Sequence, residues 1–153
     1  MFTYYNNVRE VLEMNVYTTE KIRNVVLLGH SGCGKTSLVE AMAYLAGQTT
    51  RMGTVADGST ISDFDKEEIK RQFSIHTSVV PIEWDNVKIN ILDTPGFFDF
   101  VGEVEEAVSA ADAAIMFVLG NVNSNKVHGH RNIPPEIIFS TAVFHREFGC
   151  VIT

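Results

Sequence analysis

The sequence predicts an α/β fold: a three-layer α/β/α sandwich about a mostly parallel sheet, with one antiparallel hairpin and an incomplete C-terminal end. Three observations predict it. Short β-branched runs alternate with helical patterns along most of the chain. The first run, residues 24–28 (NVVLL), is apolar at every position but one, as a strand buried on both faces of a parallel sheet must be. Two further β-rich runs are separated only by Asp85-Asn86, a pair suited to a tight hairpin turn.

Taken in order, the first twenty or so residues are mixed and polar, with a weak helical pattern at Val8, Val11 and Leu12 and a second candidate start at Met14. After strand 24–28 comes a glycine-rich turn and then a helix over 37–46, on which Leu38, Met42 and Leu45 share one stripe. Residues 47–75 are rich in Gly, Ser, Thr and Asp, with a charged helical patch at 65–71, and read as a long surface excursion, a feature usually tied to function. Runs 76–84 and 87–92 form the hairpin, 101–111 an amphipathic helix through Val104, Ala107 and Val108, and 113–119 (AAIMFVL) another buried strand.

The bulk properties exclude several classes. With 153 residues and 45% apolar composition, the chain fits one globular core. Its net charge of −7 argues against a broad nucleic-acid-binding face, which needs clustered Lys and Arg. Cys33 and Cys150 are far apart, without CxxC or Cys/His spacing, so neither a disulfide framework nor a zinc site is indicated and a reducing cytosol is the simplest compartment. The most apolar stretch, 110–119, is far too short for a membrane span and carries Asp112. His128, His130 and His145 lack the carboxylate or cysteine company of a metal site.

Gly29-His30-Ser31-Gly32-Cys33-Gly34-Lys35-Thr36, followed by Ser37, fits GxxxxGK[ST] between a strand and a helix, the context the motif requires. Glycines let successive N–H groups curl around phosphate oxygens. Lys35 reaches the β and γ phosphates, the Thr36 hydroxyl binds Mg²⁺, and the helix directs its positive end at the anion. Cys33 fills a variable slot as a small residue. Asp93-Thr94-Pro95-Gly96 follows a buried strand, which sets the Asp93 carboxylate beside this loop as a Mg²⁺-side acid and lets the Gly96 N–H sense a γ-phosphate.

Between these motifs stands Arg71-Gln72-Phe73-Ser74-Ile75, and after them Asp99-Phe100, Glu103-Val104 and Glu106-Ala107. Together, over residues 24–118, they resemble the G domain of elongation factor G and its paralogues, in which a phosphate loop, an RGITI-type first switch and DTPGHxDF occur in this order. The resemblance implies a P-loop GTPase domain that binds GTP or GDP with Mg²⁺ and couples hydrolysis to movement on the ribosome. It implies that Ser74 takes the place of the switch threonine on Mg²⁺. Gln72 and Phe73 depart from Gly-Ile, and Phe97 replaces the histidine that orients the attacking water, so hydrolysis is expected to be slow or differently triggered. On this reading residues 1–20 are an extension, 21–119 the N-terminal part of the G domain, and 120–153 a degenerate or truncated continuation. An NKxD guanine-reading motif is missing: Asn125-Lys126-Val127-His128 has His for Asp and follows its strand too soon, and the approach through Arg131 to Pro134 and Glu136 to Phe139 runs into Ser140-Thr141-Ala142. Two other readings stand open, a phosphate-reading module without hydrolysis or guanine selectivity, and an inactive remnant.

Overall fold

The computed structural model describes residues 15–117 and the backbone of two further strands. Strand β1 (Ile22–Gly29) lies between β3 (Val87–Asp93) and β4 (Ala113–Phe117) and is parallel to both. Parallel neighbours need crossovers, and the chain supplies them with helix α1 (Lys35–Leu45) after β1 and helix α3 (Val101–Ala110) after β3. Between α1 and β2 (Ser78–Trp84) stands a short helix, α2 (Lys66–Arg71).

The hairpin forms as its sequence requires. Asp85 and Asn86 both adopt positive φ, 47° and 60°, the left-handed pair that matches the twist of a two-residue turn. Strand β2 pairs antiparallel with β3 and forms the sheet edge, where Pro81 is tolerated because its missing N–H leaves no ladder bond unmade. Beyond the parallel core, β5 (Ala142–His145) and β6 (Gly149–Ile152) extend the sheet from β4 as antiparallel strands, giving the order β2-β3-β1-β4-β5-β6.

Two cores make the three layers. On one face α1 lays Val39 and Ala43, flanked by Leu38 and Met42, onto Leu27, Val80, Ile82 and Ile91. On the other, α3 buries Ala107 against Val26 and Leu92. Of the expected apolar stripes, Leu38, Met42 and Ala107 pack inward, and Leu45 and Val108 do not. Leu45, the last residue of α1, is exposed, and on α3 Ala107 meets the sheet while its neighbour Val108 is exposed. The excursion 47–75 is also less superficial than expected, since Thr60, Ser62, Asp63, Glu68 and Ser74 are buried in it. The pattern near Val8, and the segments 125–128, 131–134 and 136–141 considered for the guanine motif, lie outside the described residues.

Candidate functional site

The glycine-rich loop leaves the C-terminal end of β1 and turns straight into α1. Gly34 caps the helix in the left-handed conformation, φ 97°, and makes no side-chain cap hydrogen bond, the kind of helix start at which free N–H groups can bind an anion. Lys35 is buried, and its Nζ donates to the carbonyls of Gly29 (2.8 Å) and His30 (3.1 Å), which folds the ammonium under the loop. Cys33 turns into the core, its Sγ 3.9 Å from Lys35 Nζ.

Because β3 is the parallel neighbour of β1, its last residue emerges beside this loop. Asp93 ends β3, and the Thr94 hydroxyl donates to the Leu27 carbonyl at 2.5 Å, stitching one strand end to the other. The Ser31 N–H donates to the Gly96 carbonyl at 3.1 Å. Gly96 has no space for a side chain: a Cβ there would stand 2.6 Å from His30 C and Ser31 Cα. Only glycine lets the two loops approach this closely.

The excursion returns to the same place. Ser74 Oγ lies 3.4 Å from Thr36 Oγ1 and donates to Asp63 Oδ1 at 2.7 Å, while Ser62 Oγ donates to Asp93 Oδ2 at 2.8 Å. A cavity of about 220 Å³ opens over these groups, lined by Ser31, Gly32, Gly34, Lys35, Thr36, Ser37, Asp63, Phe73, Ser74 and Gly96 among others. Gly29, His30, Thr94, Pro95 and Phe97 line a second groove instead, and Cys33 and Asp93 are buried. Burial pushes the Asp93 carboxyl up to about 6, although the Ser62 hydroxyl works in the opposite direction. Burial likewise raises Asp63 against the Ser74 hydroxyl.

A hard cation fits this donor set. Asp93 Oδ1 is buried without a hydrogen-bond partner, and the Thr36 and Ser74 hydroxyls converge within reach of each other and of a carboxylate. These are the oxygen ligands that Mg²⁺ takes, one or two from the protein with water and phosphate for the rest.

Phe97 is partly exposed at the mouth of a neighbouring groove and packs edge-on against Phe73, with ring centroids 4.7 Å apart. It also faces the His30 ring at 6.1 Å. Two of the three departures from the family pattern, Phe73 and Phe97, therefore touch each other.

Sequence reasoning missed Ser62 and Asp63, which lie in a stretch whose polarity reads as solvated surface. It also missed Glu40, buried on α1 with both carboxylate oxygens occupied by the excursion's backbone N–H groups. The available signal was spacing: Glu40 stands four residues after Thr36 and shares its helical face.

A mixed sheet whose central strands are parallel, with this loop at one of them and a second loop crossing it from the neighbouring strand, is the architecture of a P-loop G domain. The chain belongs to the family described as the elongation factor Tu GTP binding domain, which it matches over residues 20–128. Among its relatives, the elongation factor G-like protein of Mycobacterium tuberculosis is 45% identical over 100 residues, which are 65% of this chain and 14% of that protein. The mitochondrial ribosome-releasing factor 2 of Scheffersomyces stipitis is 36% identical over 113 residues, 74% of this chain and 13% of the relative. The chain thus spans about one seventh of the length of these relatives. A crystal structure from Thermus thermophilus superposes with a TM-score of 0.64 at 40% identity, covering 67% of this chain and 16% of that one. The GTP-bound GTPase-like domain of Saccharomyces cerevisiae Ski7 shares the fold, with a TM-score of 0.56 at 17% identity over 71% of this chain and 28% of its own.

Proposed function

We propose that this chain binds a guanine nucleotide with Mg²⁺ in the cavity over Thr36 and Ser74, and that it hydrolyses GTP as part of an elongation factor G-like translation factor. The observation that carries the reading is the meeting of three separate segments at one point: the Thr36 hydroxyl, the Ser74 hydroxyl and Gly96, around a lysine and a helix N-terminus.

The roles follow from position. Backbone N–H groups of residues 31–36 hold the phosphate oxygens, and Lys35 swings from the loop carbonyls to the β and γ phosphates. Thr36, Ser74 and Asp93 hold Mg²⁺, directly or through water. When bound, the ion neutralises charge on the transferring phosphoryl group. The Gly96 N–H registers the γ-phosphate. The ribosome is the partner suggested by relatives whose names describe elongation and ribosome release. Work on ribosomes and a buried thiol in the loop both suit a reducing compartment such as the cytosol.

A second reading has a specific observation in its favour. Phe97 offers the attacking water no hydrogen bond, so a nucleotide binder with slow turnover accounts for the site equally well. Thermal unfolding of the chain in Mg²⁺ with GTP, GDP, ATP or no nucleotide tests the site. We expect GTP and GDP to raise Tm and ATP to leave it unchanged. A shift with all three would replace guanine binding by generic phosphate binding, and no shift with any would remove the nucleotide reading. Phosphate release separates turnover from binding.

A further inference from the structure

We infer that Glu40 is a positioning residue for the metal and γ-phosphate side of the site, acting through the 53–61 arm of the excursion. The inference rests on the nucleotide reading above and adds a residue that the motifs of that reading do not contain.

Glu40 is 2% exposed on the face of α1 that carries Thr36 one turn earlier. Among the described residues no basic side chain pairs with it. Its Oε1 accepts from the Gly53 N–H at 2.7 Å and its Oε2 from the Ile61 N–H at 2.8 Å. A buried carboxylate is expensive unless both oxygens are satisfied, and here two amides from opposite ends of one loop satisfy it. Gly53 is fitted to this grip, since a Cβ there would lie 2.9 Å from Glu40 Oε1 and collide with the Ser59 carbonyl.

What the grip delivers lies one and two residues further along. Ser62 follows Ile61 and donates to Asp93, and Asp63 receives the Ser74 hydroxyl that meets Thr36. The helix that presents Thr36 therefore also fixes, through Glu40, the arm that brings the opposing hydroxyl and acids to it. Freed from Glu40, the arm can leave with Asp63 and Ser74 while the loop 29–36 stays in place. A diphosphate, held by that loop alone, is indifferent to the arm; a triphosphate with Mg²⁺ needs it.

The test is the ratio of GTP to GDP affinity of the full chain in Mg²⁺, measured for the wild type and for Glu40→Gln. An amide can accept only one of the two N–H groups and turns its own donor on the other. GTP affinity should fall roughly tenfold or more, the scale of one lost charge-assisted hydrogen bond, with GDP affinity within about threefold of wild type. Gly53→Ala opens the same grip from the loop side, leaves α1 untouched, and should reproduce the GTP-specific loss, so the answer does not depend on Glu40→Gln folding well. Equal affinities in wild type and both variants, or parallel losses of GTP and GDP, would overturn the inference and leave Glu40 as a structural residue. A wild-type chain that binds neither nucleotide would instead remove the nucleotide reading, and this inference with it.

Discussion

Phe97 and Phe73 are best understood as one change rather than two, because their rings meet edge-on at 4.7 Å and such pairs contribute about 0.5–1.5 kcal/mol beyond burial. A histidine placed at 97 alone would face Phe73, which competes for its ring and holds it away from water. On the proposed GTPase reading we therefore expect Phe97→His to raise phosphate release from GTP modestly, and Phe73→Ile/Phe97→His to raise it by more than the two single changes combined. Additive single effects would show that the aromatic pair does not gate the water position. Glu103 supplies a pH dependence at the same scale. The Thr77 N–H, at 2.8 Å from its carboxylate, and then His76 hold its pKa below the usual 4.5. A depressed acid stabilises the fold above its unfolded pKa and loses that contribution as pH falls through the folded one. The Glu103 side chain is 34% exposed, so solvent screening keeps the difference under about 1 kcal/mol. The stability gap between wild type and Glu103→Gln should accordingly be widest near neutrality and close below about pH 4. A gap independent of pH would assign it to packing.

At the scale of elements, local chemistry decided what was legible. The strand, loop and helix around residues 22–45, the Asp85-Asn86 turn and the DTPG loop could be read because each carries a rule in its own residues: a β-branched run, a left-handed pair, a glycine where backbones touch. The apolar faces were less legible, since which side of α1 or α3 meets the sheet depends on where the sheet lies, and Leu45 and Val108 were misplaced for that reason. The excursion was hardest. Its polar residues look solvated until Glu40, Asp93 and Thr36 are known to receive them, and that is long-range information. Helix α2 shows how the segment holds itself. Asp65 and Glu68 form a capping box, and buried Glu68 also accepts from the Ile75 and His76 N–H groups, fixing the residues after Ser74. Asp65→Ala should remove about 1 kcal/mol of local stability. Amide exchange at Ile75 and His76 should then quicken by roughly fivefold with little change in the global unfolding midpoint. Unchanged exchange would mean that Glu68 keeps its place without the cap.

For the molecule as a whole, nucleotide binding and folding are one equilibrium, because the cavity exists only when β1, β3 and the excursion are assembled. Ligand that binds only the folded chain adds RT ln(1 + [L]/Kd), so each tenfold increase above saturation adds about 1.4 kcal/mol and moves Tm upward by a few degrees. The midpoint in Mg²⁺–GTP should thus climb linearly with the logarithm of nucleotide concentration, with an unaltered denaturant slope, since no extra surface is buried from the unfolded chain. Lys35→Ala isolates the source of this gain. Its ammonium holds the Gly29 and His30 carbonyls in the free chain, so the variant should lose a little stability without nucleotide and nearly all of the concentration dependence with it. If the slope against log concentration survived in Lys35→Ala, the stabilising anion would have to sit elsewhere on the sheet, and the loop 29–36 would be a structural turn despite its motif.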